Sequence, residues 1–474
     1  MLEYYLPEKM NRYAGIYANG MHEPVTIELR LLGYIVEEHY PDHHVVIFIS
    51  RNSEKEDDVN PLCFLYHFQL IGSYGVQGQH FPPIIEFSSA SEKSNRKRTN
   101  NFKKKHRIRD EYAIADATTI LQKHIEDSCE EYFKHLNQPW KIVCERQGDH
   151  AFSGEDICRL FGDVAKDKFK EAREQGIQIE NVSLKYHKIE IFIFISNANN
   201  NHTESDPKKD KKYQNGDSQE IDLWFFGIRN KVWDFKSLKQ TCDTSKELSE
   251  GCEKFKSDSK ESISYKNDPP STTNNSIAAC LIILAIEKYF LKNKSILFLD
   301  PMCGVGTIPF VFENLSSKLG WKPILFGSEV DANSVKLFNQ KISELMKHKK
   351  TAPHNTPQNE LFGFNGLSIV IANTLNLPFL SDTFDLIIVD PPWGHRHGKN
   401  HVIMKNMFRW MKEWVRVLKH GGILGIMTIR TKQVSHEYNS HFSDGRGLEL
   451  LERVYFDNSG MSQCCYFIFR KVKT

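Results

Sequence analysis

Five continuous apolar runs in the last two hundred residues restrict the fold of this chain more than any other feature. They are ILFLD (296–300), ILFGSEV (324–330), LSIVIA (367–372), FDLIIVD (384–390) and ILGIMTI (423–429). Runs of this kind predict strands that are buried on both faces. Helical patterns at 334–346 and 404–418 lie between them, and this alternation predicts a doubly wound, mostly parallel sheet. The segments 449–456 and 463–471 predict a C-terminal antiparallel hairpin at one edge of that sheet.

The length of the chain predicts two to four domains, because 474 residues are too many for one core. The patterns near the N-terminus predict a small α+β unit with a strand at 11–18, a helix at 21–33 and a strand at 44–50. The middle of the chain predicts a strand at 141–146, a helix from Ser153 to about Glu174, and strands at 188–196 and 220–228. Ser153 with Asp156 is a typical N-cap pair for that helix.

Three polar segments interrupt these patterns, and we interpret all three as loops or insertions. They are the strongly basic run 92–109 and the low-hydrophobicity tracts 197–220 and 243–262. The basic run would add salt-dependent attraction to a nucleic-acid backbone. The formal net charge of the whole chain is only +2, so no global field indicates such a partner.

Composition also bears on the cellular environment. None of the 10 cysteines forms a C-x-x-C pair, which favours reduced, intracellular thiols. The adjacent Cys464 and Cys465 lie on a predicted strand and should therefore point to opposite faces. We find neither an apolar run long enough to span a membrane nor a secretory leader, and we predict no metal site.

A glycine-containing turn follows the first of the five predicted strands. It reads Asp300-Pro301-Met302-Cys303-Gly304-Val305-Gly306-Thr307, and its glycines would let the backbone approach a ligand. The second strand ends at Glu329, whose carboxylate could accept both hydroxyls of a ribose, and Asn373 after the third strand could bind an adenine edge. Pro309 stands where G-x-G-x-x-G requires glycine, so a nucleoside is favoured over a dinucleotide. The predicted nucleoside site comprises Asp300, Cys303, Gly304, Gly306, Glu329, Val330, Asn373 and Thr374.

The fourth strand ends in Asp390-Pro391-Pro392-Trp393. The exocyclic amine of a nucleobase is a weak nucleophile, so an enzyme must orient it by hydrogen bonds. The Asp390 carboxylate could accept one N–H and the Pro391 carbonyl the other, while the proline rings fix the direction of that carbonyl. Trp393 offers a flat face for a flipped base. We predict Asp390, Pro391 and Trp393 as the catalytic residues.

At these residues the sequence resembles a known family. DPMCGVGT followed by DPPW resembles the Rossmann-like S-adenosylmethionine-dependent N-methyltransferases, which use (D/N)-x-P-(F/Y/W) for amino groups. The segment 142–165 resembles the THUMP RNA-binding module of the tRNA (guanine-N2-)-methyltransferases, and the N-terminal unit is similar to their ferredoxin-like domain. Among them, the resemblance is strongest to animal members that act on the tRNA acceptor stem.

The resemblance implies a division of the chain and a set of partners. It implies a ferredoxin-like unit at 1–136 with a basic insertion near 91–110, a THUMP domain at 137–235 with a polar insertion at 197–220, a linker at 236–270 and a methyltransferase domain at 271–474. It also implies S-adenosylmethionine as cofactor, tRNA as substrate, and a heterodimer with a small zinc-binding activator subunit. The expected location is the cytoplasm, or also the nucleus.

Two departures from the family pattern and two alternative functions stay open. Relatives carry Leu-Arg-Ser-Thr where this chain has Asn274-Asn275-Ser276-Ile277, and most carry Phe or Tyr in place of Trp393. DPPW also occurs in adenine amino-group methyltransferases of messenger RNA, in which the DPPW strand precedes the glycine loop. The second alternative is a non-catalytic RNA-binding protein. His395 and His397 more often cover a loop than bind metal, and Arg396 beside them could meet a phosphate.

Overall fold

The computed structural model describes residues 11–50, 61–77, 111–148, 150, 152–197, 221–230, 273–289, 295–351, 367–393, 400–457 and 463–473. Within these ranges the chain forms fourteen strands in two sheets and eight α-helices. The basic run 92–109, the tract 243–262, the segment Gly394–Gly398 and nearly all of 197–220 lie outside the described residues.

The first sheet contains seven strands from the N-terminal half of the chain. These are β1 (Arg12–Ile16), β2 (Ile35–Tyr40), β3 (Val45–Ile49), β4 (Tyr66–Gln77), β5 (Trp140–Gln147), β6 (Ile189–Asn197) and β7 (Ile221–Asn230). Their spatial order is β2-β3-β1-β4-β7-β6-β5, with β5 and β6 parallel and the other pairs antiparallel. Because β4 pairs with β7, strands on both sides of residue 136 belong to one continuous sheet.

Three helices accompany this sheet: α1 (His22–Leu31), α2 (Glu111–Phe133) and α3 (Gly154–Glu174). Side chains of α2 and α3, among them Leu121 and Phe161, form a core with Ile193 and Phe226 of the sheet. On the other face, apolar side chains of β1 and β3 share a cluster with those of β6 and β7. The predicted cap of α3 is confirmed, since Ser153 and Asp156 form a reciprocal capping box. The strands β2 and β4 and the helix α2 were not predicted.

The second sheet also has seven strands. They are β8 (Ser295–Asp300), β9 (Lys322–Glu329), β10 (Leu367–Ile371), β11 (Phe384–Val389), β12 (Leu418–Thr428), β13 (Leu448–Phe456) and β14 (Cys464–Lys471). The order is β10-β9-β8-β11-β12-β14-β13, in which the first five strands are parallel and β14 is antiparallel to both neighbours. The predicted parallel sheet and its C-terminal hairpin are confirmed.

Helices cover both faces of the second sheet. They are α4 (Asn275–Ile283), α5 (Thr307–Leu319), α6 (Ala332–Thr351), α7 (Asn400–Val417) and α8 (Thr431–Glu437). Residues of α4 and α5 form one core cluster with the sheet, and residues of α7 form another. Cys464 belongs to the first cluster and Cys465 to the second, which confirms that they point to opposite faces.

The N-terminal unit packs against the helix α4 of the second sheet. Side chains of β1, β3 and α1 belong to the same core cluster as α4. The buried Glu28 carboxylate accepts hydrogen bonds from the backbone N–H groups of Leu62 (2.6 Å) and Cys63 (2.8 Å), and the Cys63 carbonyl in turn lies 3.7 Å from the Cys280 thiol of α4. In the part of the chain that the structure describes, no helix is long and apolar enough to cross a membrane.

Candidate active site

The topology of the second sheet brings four of the predicted side chains to one edge. Asp300 ends β8, Glu329 ends β9, Asn373 follows β10 and Asp390 follows β11. Because β10, β9, β8 and β11 are adjacent and parallel, their carboxyl ends lie side by side. Ligands of open α/β sheets bind at such an edge.

The turn after β8 is held against the end of β9. The Cys303 N–H donates to the Ser328 carbonyl (3.0 Å), and the Gly306 N–H donates to the Cys303 carbonyl (2.8 Å). Both glycines have positive φ, +53° at Gly304 and +87° at Gly306. A Cβ atom on Gly306 would come within 2.2 Å of the Phe338 ring, whereas one on Gly304 would meet no described atom within 4 Å. Gly306 is therefore required by packing, and the space beside Gly304 is open to a ligand.

Glu329 ties this turn to the second strand. Its Oε2 accepts the Gly304 N–H (2.9 Å), while its Oε1 accepts the N–H groups of Val330 (2.8 Å) and Asp331 (2.9 Å). These three donors fix the carboxylate without a cation. Val330, next to it, is 66% exposed, so its apolar side chain is free to cover a flat ligand.

The other residues of the predicted nucleoside site differ in accessibility. The Asn373 side-chain oxygen accepts the Leu375 N–H (3.0 Å). The Thr374 side chain is buried, and its hydroxyl accepts a hydrogen bond from the Trp414 indole (2.8 Å). Cys303 is buried as well, and burial raises the pKa of its thiol. Any contact of Thr374 with a ligand would therefore use its backbone.

Asp300 and Asp390 are two acids without a cationic partner. Burial, together with the charges of Asp390 and Glu329, raises the pKa of Asp300 well above its ordinary value, although the carboxylate accepts the Met302 N–H (3.1 Å). Burial raises the pKa of Asp390 to about 7, and a hydrogen bond from the Thr273 hydroxyl to its Oδ2 (2.6 Å) opposes that shift. Neither acid forms an ion pair in the described part of the chain. Such a site favours a cationic ligand or a substrate that gains positive charge.

Trp393 is partly buried against the core cluster that includes α4. Its indole N–H makes no hydrogen bond of good geometry to any described residue, although its proximity lowers the pKa of Asp390. The Trp393 carbonyl accepts two hydrogen bonds from Arg430, from Nε (3.1 Å) and Nη2 (2.9 Å). Pro391 is buried.

Sequence reasoning missed Thr273 and Arg430. Arg430 comes directly after the predicted strand 423–429, so its place at the carboxyl edge could have been inferred. Thr273 had no such signal. It precedes Asn274, which caps α4 by accepting the Ser276 N–H (2.9 Å). In the described residues, no group of three or more His, Cys, Asp or Glu side chains could hold a metal ion.

No protein-family model matches the chain, and no curated protein matches its sequence. Solved structures are similar to it over nearly its whole length. TrmN from Thermus thermophilus is 13% identical with a TM-score of 0.55, covering 98% of this chain and 100% of that one. SMU.472, assigned as a methyltransferase and solved as a complex with SAH, is 10% identical with a TM-score of 0.54, covering 98% and 100%.

A third similar structure is a predicted N6-adenine-specific DNA methylase from Listeria monocytogenes. It is 11% identical with a TM-score of 0.51, covering 97% of this chain and 96% of that one. At these identities the similarities show the fold alone. With the sheet topology, they confirm the predicted α/β class and the Rossmann-like methyltransferase fold of the second sheet.

Proposed function

We propose that the protein is an S-adenosylmethionine-dependent RNA methyltransferase that methylates the exocyclic amino group of a guanosine in tRNA, giving N2-methylguanosine in the acceptor stem. The observation that carries the proposal is that Asp390 of DPPW lies at the same sheet edge as Asp300, Glu329 and the glycine turn. The similarity in fold to TrmN and to the SAH-bound SMU.472 supports it.

The residues at the edge suit the proposed cofactor. Asp300, Glu329 and the open space beside Gly304 fit its amino acid and ribose groups, and Val330 and Asn373 fit its adenine. Cys303, Gly306 and Thr374 would shape the walls of the same pocket. When bound, S-adenosylmethionine supplies an electrophilic methyl group on a positively charged sulfur.

The residues of DPPW suit the acceptor amine. Asp390 and the Pro391 carbonyl would each accept one N–H, which aligns the nitrogen lone pair with the methyl group. The amine gains positive charge during transfer, and the Asp390 carboxylate stabilises that charge and takes up the released proton. A pKa of about 7 suits both tasks at neutral pH. Stacking on Trp393 would contribute about 1 to 3 kcal/mol to capture of the base.

The remaining parts of the chain would bind RNA and a partner. In this proposal 1–136 is a ferredoxin-like unit and 137–235 a THUMP domain, which together form the first sheet. The segment 236–270 is a linker, and 271–474 is the methyltransferase domain. The small zinc-binding activator would pair with the edge strand β10, whose outer side has no described neighbour in the sheet. The expected place of action is the cytoplasm, or also the nucleus.

An adenine amino group is the second candidate substrate. One similar structure is of a predicted N6-adenine-specific DNA methylase, and DPPW suits either amine. Motif order favours guanine, because the glycine turn precedes DPPW in this chain.

Methylation of isolated RNA tests the proposal directly. The purified protein, with and without its activator, is incubated with small RNA and S-adenosylmethionine carrying a labelled methyl group, and the nucleosides are separated by mass spectrometry. We expect labelled N2-methylguanosine, recovered from the acceptor stem of tRNA. Labelled N6-methyladenosine would replace the guanine assignment by the adenine one. If the protein binds RNA but produces no labelled nucleoside, the result would favour the alternative of a non-catalytic RNA-binding protein.

A further inference from the structure

The stretch Asp390–Trp393, here called the catalytic loop, is anchored at both ends by side chains from other elements. At its first residue, the Thr273 hydroxyl donates to Oδ2 of Asp390 (2.6 Å). At its last residue, the Arg430 guanidinium donates twice to the Trp393 carbonyl (3.1 and 2.9 Å). A planar guanidinium with two donors fixes the direction of an acceptor better than one point charge.

The two anchors leave specific acceptors unused. Thr273 occupies Oδ2 of Asp390, and Arg430 occupies the Trp393 carbonyl. Among the described residues, no hydrogen bond of good geometry reaches Oδ1 of Asp390 or the Pro391 carbonyl, although the Trp393 indole N–H lies close enough to Asp390 to lower the pKa of its carboxyl. These two free oxygens are the acceptors that an amine with two N–H groups requires.

Both anchors stand on well-packed elements. Thr273 immediately precedes the N-cap of α4, a helix that is buried from Ser276 onward and packs against both α1 and α5. Arg430 follows β12 in the sheet interior, and its N–H donates to the Thr428 hydroxyl (2.8 Å). Anchors on rigid elements can hold a loop within the narrow tolerances that catalysis requires.

We propose that Thr273 and Arg430 are positioning residues that hold opposite ends of the catalytic loop, so that Oδ1 of Asp390 and the Pro391 carbonyl are presented together to the acceptor amine. This inference rests on the proposed function and extends it to two residues outside DPPW.

The two anchors should have different kinetic signatures. The Thr273 hydroxyl binds the carboxylate itself, so its loss should change the protonation of Asp390. Arg430 binds a backbone carbonyl, so its loss should change orientation only. Among the described residues, Asp300 at the end of β8 lies close enough to Asp390 for their charges to interact, and Glu329 acts on Asp300 in the same way from β9. Arg430 binds the Trp393 carbonyl at the far end of the loop. Substitution of Thr273 leaves these groups unchanged, so a shift in the pH profile would report on Asp390.

The experiment is a pH profile of single-turnover methyl transfer, with the full-length protein and the RNA that the wild type methylates. For Thr273→Val we expect the midpoint of the profile to move up by about one pH unit, whereas Thr273→Ser should keep the wild-type midpoint. Thr273→Ala is measured in parallel in case the valine variant does not fold. For Arg430→Gln we expect roughly a tenfold lower rate at every pH. The rate of Arg430→Lys should lie between those of the wild type and Arg430→Gln, and both variants should keep the wild-type midpoint.

Matched controls lose similar groups away from the site. Thr383→Val removes a hydroxyl that donates to the Leu380 carbonyl (2.7 Å) at the opposite end of β11, and Arg409→Gln removes an exposed guanidinium on α7. Both should leave the profile unchanged, and all variants should bind S-adenosylmethionine as the wild type does. An unchanged midpoint in both Thr273→Val and Thr273→Ala, or a wild-type rate in Arg430→Gln, would overturn the proposal. A wild type that transfers no methyl group would instead reject the proposed function.

Discussion

Buried acids in the two sheets have opposite surroundings. In the first sheet, Glu190 on β6 is 5% exposed and contacts three basic side chains: Arg229 (2.7 Å from Nε), His187 (3.0 Å) and Lys141 (3.2 Å). Burial alone would raise the pKa of Glu190, but Arg229 and Lys141 outweigh it and lower the pKa. At the edge of the second sheet, Asp300 and Asp390 have no such partner among the described residues, and burial raises both pKa values.

This difference separates a structural acid from a functional one. A protein that compensates a buried carboxylate with its own cations gains a fixed network and leaves nothing for a ligand. Two acids that no described cation compensates form a site whose charge a ligand can balance. The hydrogen bonds around each acid agree with the direction in which its pKa is shifted.

The largest expected effect comes from removing the uncompensated acid. Asp390→Ala should lower the rate of methyl transfer by a hundredfold to a thousandfold, because alanine leaves no side-chain acceptor for the N–H of the amine. S-adenosylmethionine affinity should fall by no more than about fivefold, the contribution of attraction to the sulfur, since Glu329 and the glycine turn provide most of that contact. Single-turnover assays and calorimetry measure the two effects.

The isosteric substitution Asp390→Asn should not weaken the fold. At pH 8 it removes an uncompensated charge, so the free energy of unfolding should rise by about 1 kcal/mol. Asp444→Asn, at a side chain that is 86% exposed, serves as control and should change neither the rate nor the free energy of unfolding. Near-normal turnover by the folded Asp390→Ala protein would mean that DPPW is only a rigid turn.

Removing the compensated acid should have the opposite consequence. Glu190→Gln leaves Arg229 and Lys141 without a counter-charge, so the free energy of unfolding of the first sheet should fall by about 2 kcal/mol. Urea denaturation followed by tryptophan fluorescence measures it. Glu449→Gln is the control, because Glu449 is 53% exposed and lies 3.7 Å from Arg470, where an ion pair contributes little. A stable Glu190→Gln protein would remove the distinction drawn between the two acids.

The pH dependence should also differ between the two sheets. Asp390 must be ionised to accept the amine, so with a pKa of about 7 the rate should rise roughly 25-fold from pH 5.5 to 7.5. Its raised pKa makes folding less favourable as pH rises from about 4 to 7, because the folded chain binds the proton more tightly. Glu190 has a lowered pKa, so its stabilising contribution is present above its ordinary pKa and is lost as pH falls through the folded value.

Rate profiles across pH 5 to 8 and unfolding measurements from about pH 3 to 8 separate these terms. In Asp390→Asn, the loss of stability with rising pH should become smaller. In Glu190→Gln, the loss of stability at acid pH should become smaller instead. A rate that does not vary between pH 5.5 and 7.5 would contradict the role of Asp390.

The sequence predicted the second sheet better than the first for a physical reason. Strands covered on both faces give continuous apolar runs. For β8, β9, β10 and β11, both ends of the predicted run lie within two residues of the ends of the observed strand. The strand β12 begins five residues before the run that predicted it. By contrast, β2 is a mostly exposed edge strand with charged residues. The strand β4 mixes polar and apolar residues, and its partner β7 lies far away in the chain. The helix α2 was missed although Ala117, Leu121 and Ile125 recur at helical spacing.

The candidate site shows the same limit. Asp300, Glu329 and Asp390 could be grouped from sequence because each follows a parallel strand, and parallel strands bring their ends together. Thr273 lies 117 positions from Asp390, and only the packing of α4 brings them into contact. The inward direction of Thr374 depends likewise on Trp414 of α7.

The smallest expected effect tests whether a ligand completes the charge of the second sheet. S-adenosylmethionine carries a positive sulfur that S-adenosylhomocysteine lacks, while the two share every other group. If Asp300 and Asp390 attract the positive sulfur, S-adenosylmethionine should bind about fivefold more tightly than S-adenosylhomocysteine at pH 8. This is the effect expected for opposite charges several ångströms apart in a partly buried site. At pH 6 the preference should shrink, because Asp390 is then mostly protonated. In Asp390→Asn the preference for S-adenosylmethionine should be small at both pH values, whereas Glu190→Gln should retain the wild-type preference.

Calorimetry with both compounds measures the ratio of their affinities. An equal affinity for the two at pH 8 would show that the uncompensated acids do not act on the sulfur, and the comparison between the two sheets would then describe folding alone.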